Sequence, residues 1–143
     1  MEKYSMTAYD IQSLEENLNI KLPIAYKNIL LNYPEELKSN EYGNQFLIYD
    51  AKDLLYNLII RCRWFNPKET LPRNFFPIGC DYGGNMFFIN LDNDERIYTI
   101  DHEEAESFYN PDTDTINWSI ALKEFKPKIT VFVEWLKAYL SEK

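Results

Sequence analysis

The sequence predicts an α+β domain in which an antiparallel sheet carries N-terminal helices and a C-terminal helix, laid against one sheet face. Three observations predict it. The first 34 residues hold two stretches of one-face helical spacing, and the middle holds three short runs rich in aromatics and isoleucine. The last 17 residues hold a long apolar stripe at helical period.

Thr7 with Asp10 three residues on has the form of a capping box, and Ile11, Leu14 and Leu18 follow on one face, which predicts a first helix over 8–18. Leu22-Pro23 restarts the chain, because proline suits a first helical turn. Tyr26, Ile29, Leu30 and Tyr33 supply the second stripe before Pro34 stops it. Asp50 and Asp53 flank a third start, followed by Leu54, Leu55, Leu58, Ile59 and Cys62 up to Asn66-Pro67. Phe75 to Asp81, Met86 to Leu91 and Arg96 to Ile100 read as three antiparallel strands in a meander, separated by Gly83-Gly84-Asn85 and Asp92-Asn93-Asp94. Met86 to Leu91 is apolar on both faces, so that strand is central. Pro127 opens the last helix, where Ile129, Phe132, Val133, Leu136 and Leu140 form the buried stripe.

A length of 143 residues fits one domain over 1–143. With 45% hydrophobic, 16% aromatic and 27% charged residues, a disordered or collagenous chain is excluded. Fifteen basic against 23 acidic residues give a net charge of −8, which disfavours nucleic acid and anionic membrane as partners and leaves a basic protein partner open. Two cysteines do not make a disulfide scaffold, and the opening MEKYSMTAYD lacks the apolar stretch of a secretory signal, so a cytoplasmic location is expected. The run Leu54 to Ile60, interrupted by Asn57, falls far short of the roughly 20 residues needed to span a bilayer.

The order of these elements and the residues at their joints resemble the SUKH superfamily, the domain of the fungal cell-wall (glucan) synthesis regulator and of many bacterial toxin-immunity proteins. Three ordered signatures carry the resemblance. The first is Ile11-Gln12-Ser13-Leu14-Glu15, then Leu22-Pro23, then Tyr26-Lys27-Asn28-Ile29-Leu30. The second is Phe76-Pro77-Ile78-Gly79-Cys80-Asp81-Tyr82-Gly83-Gly84-Asn85-Met86-Phe87-Phe88, and the third is Ile97-Tyr98-Thr99-Ile100-Asp101-His102-Glu103. The resemblance runs from about residue 8 to the final helix. It implies a binding protein without catalytic residues, either an immunity protein that neutralises a toxin domain such as a nuclease or deaminase by direct contact, or a regulatory scaffold.

Charge placement is informative without any family. Residues 92–114 contain Asp92, Asp94, Glu95, Asp101, Glu103, Glu104, Glu106, Asp112 and Asp114 against the single base Arg96, and the rest of the chain is balanced. One reading is a solvated turn region that aids solubility. The sharper one is a negative patch that speeds encounter with a basic partner. Its contact residues would be Asp92, Asp94, Glu95, Asp101, Glu103, Glu104 and Glu106, with Tyr82 and Tyr109 as apolar anchors; Tyr42 and Tyr49 also fall in predicted turns. Asp92-Asn93-Asp94-Glu95 is oxygen-rich but lacks the ligand spacing and turn glycine of an EF-hand.

The remaining chemistry candidates have plainer readings. His102 is the only histidine, which removes two-histidine metal sites, and between Asp101 and Glu103 it reads as a turn residue. Cys62 lies between Arg61 and Arg63 but also on an apolar stripe, and Cys80 lies inside a strand, so both read as buried thiols. Gly83-Gly84 has no Lys-Ser or Lys-Thr after it and reads as a hairpin turn, not a phosphate loop. Abundant acids without a motif do not define a glycosidase pair. No catalytic set, cofactor or metal is expected.

Overall fold

The computed structural model describes residues 6–56, 72, 74–81, 83, 85–92 and 95–141. Thr7 and Asp10 close the expected capping box: the Asp10 N–H donates to Thr7 Oγ1 at 3.1 Å and the Thr7 N–H to Asp10 Oδ2 at 3.0 Å. Two donors that a helix start leaves unpaired are thereby satisfied. The helix α1 (Ala8–Leu18) turns Ile11 and Leu14 inward and ends at Asn19, whose φ of 55° is a left-handed conformation that asparagine tolerates well. Pro23 then precedes α2 (Ile24–Leu31), which buries Tyr26 and Leu30. Glu15 joins the two helices, accepting the Leu22 N–H at 2.7 Å and pairing with Lys27 Nζ at 3.3 Å.

Two single-turn helices, α3 (Glu35–Lys38) and α4 (Gly43–Phe46), fall where periodicity predicts none, because four residues cannot display a helical stripe. Tertiary contacts hold them. The Tyr33 hydroxyl lies between the carbonyls of Gly43, at 3.0 Å, and Leu47, at 2.6 Å. Asp50 Oδ1 accepts the N–H groups of Lys52 and Asp53 at the start of α5 (Ala51–Tyr56), where a third helix is expected. The rest of that predicted stripe, including Cys62, lies outside the described residues.

The meander forms as expected: β1 (Phe75–Cys80), β2 (Met86–Asn90) and β3 (Ile97–Ile100) pair antiparallel in sequence order. A short hairpin of β4 (Tyr109–Asn110) and β5 (Thr115–Ile116) comes next, and β6 (Lys123–Lys126) then returns to the sheet, giving the order β1-β2-β3-β6. The strand β6 is not predicted. In Lys123-Glu124-Phe125-Lys126 only Phe125 packs against the core, too little alternation to show in sequence. As an edge strand β1 tolerates Pro77, and its outer side receives the Ile48 N–H at Ile78 O, 2.8 Å.

A register shift between Pro77 and Gly79 lets β1 pass beneath α4. A Cβ on Gly79 would stand 2.1 Å from the Phe46 carbonyl oxygen, so only glycine fits. The shift also sends Phe76 and Ile78 to one side of the sheet and Cys80 to the other.

The expectation that helices cover one sheet face describes half of the arrangement. On that face Phe87 and Ile89 of β2 meet α1, α2 and α8 (Ile129–Ser141), whose five stripe residues Ile129, Phe132, Val133, Leu136 and Leu140 are all buried as predicted. On the opposite face Met86 and Phe88 are covered by Phe108, Ile116 and Ala121. These come from α6 (Ala105–Phe108), β5 and α7 (Trp118–Ala121), within and just after the segment read from sequence as charged turns. The apolar residues of that segment were outweighed by its acids in the sequence pattern, and a sheet strand apolar on both faces requires a second cover.

Two stability outcomes follow from these contacts. Glu15→Ala is expected to lower unfolding free energy by about 1–2 kcal/mol in urea denaturation, because it removes a charged acceptor from a half-buried N–H, with Glu15→Gln closer to wild type. Gly79→Ala is expected to cost about 3 kcal/mol by overpacking against backbone, while Gly83→Ala, whose Cβ would approach Asp81 Oδ1 no closer than 3.4 Å, costs far less.

Candidate functional site

Strand register divides the acidic segment instead of presenting it as one surface. Asp92 and Glu95 lie at the β2–β3 turn, whereas Asp101, Glu103, Glu104 and Glu106 follow the far end of β3. The strand β3 alone spans about 10 Å at ~3.3 Å per residue. The two acidic groups are therefore more than one physiological Debye length apart, about 8 Å, and do not act as a single field. Asp112 and Asp114 occupy a third place, the β4–β5 turn. Asp94 and Tyr82 lie outside the described residues.

Within the 101–106 group the carboxylates have different tasks. Asp101 Oδ1 accepts the Glu103 N–H at 3.0 Å and starts the 3₁₀ turn His102–Glu104. Glu104 pairs with Lys123 across the sheet edge. Glu103 and Glu106 are exposed, and among the described residues no cation pairs with them. The one base of the segment, Arg96, is paired with Glu124 at 3.0 Å, outside the segment.

Antiparallel pairing brings the β1–β2 turn against this group, since Met86 faces Ile100 and Cys80 faces Met86. Asp81 Oδ1 accepts the N–H groups of Gly83, at 2.8 Å, and Asn85, at 2.9 Å, so the Gly-containing stretch is a side-chain-capped hairpin turn as read from sequence. His102 is a turn residue as well. Its N–H donates to Asn85 Oδ1 at 3.3 Å and its Nδ1 lies 2.9 Å from the same oxygen. Cys80 is buried beneath this end of the sheet.

The expected tyrosine anchors are packed more deeply than predicted turns imply. Tyr42 and Tyr49 are half-buried against the larger core, with the Tyr49 ring 4.8 Å from that of Tyr33. Tyr109 is half-buried against the second core, and its hydroxyl donates to Asp114 Oδ1 at 2.9 Å. That bond, then desolvation and the carboxylate's charge, raises the phenol above its ordinary 10.0.

A cleft of about 250 Å³ opens at the same strand ends, between the sheet and α8. Phe87, Phe125, Trp135 and Tyr139 supply its apolar wall, and Asp81, Asn85 and Asp101 its polar margin. The rings form a connected stack: Trp135 and Tyr139 are 4.9 Å apart at 16°, and Phe125 meets Trp135 edge-on at 5.0 Å. Of the residues named in the cleft, Asp101 is a sequence-predicted contact, and none of the aromatic ones is. Trp135 and Tyr139 lie at i and i+4 beside the buried stripe of α8, which is the signal available in sequence; only tertiary structure sets them opposite Asp81 and Asp101.

The helices and the four-stranded antiparallel sheet place the chain in the α+β class expected for it. The profile of the SMI1 / KNR4 family (SUKH-1) matches residues 6–117, and the chain belongs to that family, as its three sequence signatures imply. The match runs from the α1 capping box through β5 and ends before α7, β6 and α8. No curated protein matches the chain. Family members are generally non-enzymatic immunity or regulatory proteins, and membership is compatible with either role. Among the described residues no helix is long and apolar enough to cross a membrane.

The fold favours the protonated Tyr109 phenol, so its contribution to stability is complete at neutral pH and is lost as pH rises through the raised folded value. Asp114→Asn keeps an oxygen for the hydroxyl and removes the charge. It is expected to bring the Tyr109 titration down toward 10.0, followed by NMR of the ring across alkaline pH.

Proposed function

We propose that the chain is one SUKH domain over 1–143, acting in the cytoplasm as a non-enzymatic immunity protein that neutralises a cognate bacterial toxin by direct contact. Family membership supports the binding role. The observation that carries the electrostatic part is the amphipathic use of residues 101–108: Phe108 is buried on the sheet while Glu103 and Glu106 face solvent beside Asp101 and Asp81. A basic toxin surface would be drawn to this end of the sheet, and the rest of the interface would occlude its substrate. A nuclease or deaminase, the toxin classes that the family resemblance implies, would suit such a surface where its cleft for nucleic acid is cationic.

The structure sharpens the choice of variants. Asp101 and Glu104 hold a turn and an ion pair, so charge reversal there would mix folding with binding. Glu103→Lys with Glu106→Lys alters charge alone. In co-expression with a candidate neighbour toxin from the same locus, the unaltered protein is expected to protect. The double variant should associate roughly tenfold more slowly at low salt, with the difference closing as salt is raised. Equal, salt-independent association by both forms would overturn the electrostatic part. Failure of the unaltered protein to protect against its neighbour toxin would return the reading to a regulatory scaffold resembling the cell-wall synthesis regulator.

A further inference from the structure

The cleft at the strand ends has a composition that selects its occupant. Its margin carries two carboxylates, Asp81 and Asp101, and among the described residues its lining contains no lysine or arginine. Each carboxylate is held by its Oδ1 on backbone N–H groups, and among the described residues no donor is bonded to Oδ2 of either. The acids are thus oriented before any partner arrives, with an acceptor oxygen to spare. An anion would be repelled here, and an apolar side chain would strip water from two charges without replacing it. A divalent cation would require more ligands, and among the described residues no group of three or more His, Cys, Asp or Glu is placed to hold one.

The wall adds a second preference. Lys126 Nζ already sits 4.8 Å from the Phe125 centroid and 5.3 Å from that of Trp135, so the ring surface of these residues that lines the cleft is left to pack an apolar stem. The volume of about 250 Å³ is below the roughly 300–1,000 Å³ of sites for drug-sized ligands and suits one long side chain. Arginine satisfies wall and margin together: its methylene stem packs on apolar ring surface, and its planar guanidinium sheds water more easily than ammonium and offers five donors to two carboxylates.

We propose that this cleft is a subsite for a single arginine side chain of a basic protein partner, with the guanidinium at Asp81 and Asp101 and the methylene stem against Phe125, Trp135 and Tyr139. The proposal rests on the protein-binding reading above and names the chemistry that the binding surface selects.

The test is an NMR titration of the intact protein with acetyl-Gly-Arg-Gly-amide and with the peptide carrying citrulline, the neutral analogue of arginine. The arginine peptide is expected to shift the Trp135 indole N–H and the backbone signals of Asp81, Asn85 and Asp101 saturably, on the order of 1 mM. Citrulline should bind roughly tenfold more weakly. Asp81→Asn with Asp101→Asn keeps the Oδ1 turn acceptors and is expected to reduce arginine to the citrulline level. Equal response to both peptides, or shifts confined to another surface, would overturn the proposal in the unaltered protein, whatever the stability of the variant. Toxin neutralisation without arginine selectivity would remove the cleft and leave the immunity reading. Arginine selectivity without neutralisation of the neighbour toxin would do the reverse.

Discussion

Strand β2 must be covered twice, and the rest of the molecule is arranged around that requirement. Phe87 and Ile89 on one side and Met86 and Phe88 on the other are all nearly inaccessible to water. Burial of side chains of this size is worth about 1.5–3 kcal/mol each, so an open face would forfeit more than most single interactions supply. The N-terminal helices and α8 cover one side. The other side falls to residues 101–122, which must fold back over the sheet although they include the most acidic part of the chain.

Charge segregation is a consequence of that folding back. Phe108 and Ile116 turn inward, and the neighbouring Glu103, Glu106 and Asp112 are left on the solvent side. An outward acidic surface here is therefore no proof of a partner. What separates this end of the sheet from the β2–β3 turn is company: the 101–106 carboxylates share their surroundings with Asp81, an asparagine-histidine contact and an aromatic cleft, all within one set of strand ends. Family membership gives the surface a context, since binding accounts for both known roles.

Positioning at this site depends on groups that serve the fold first. Asp81 and Asp101 are turn caps before they are surface charges, and the same hydrogen bonds that close the turns orient the remaining oxygens. The bulge at Gly79 acts one step further back. It allows β1 to cross α4 closely and resets which side of the sheet Cys80 and the following turn occupy. A surface supported in this way is preorganised, which would lower the ordering cost of the binding proposed for it.

The sequence alone determined the elements whose signal is local and repeated. The Thr7–Asp10 box, the inward faces of α1 and α2, the three meander strands, the interior place of β2 and all five stripe residues of α8 were readable because neighbours along the chain are neighbours in those elements. Tertiary structure decided the one-turn helices, the return of β6 to β3, the second cover of the sheet, the parting of the acidic segment and the cleft between α8 and the strand ends. Each of these is set by contacts between residues far apart in the chain, and a run of two to four residues is too short to reveal by its own periodicity which distant surface it will meet.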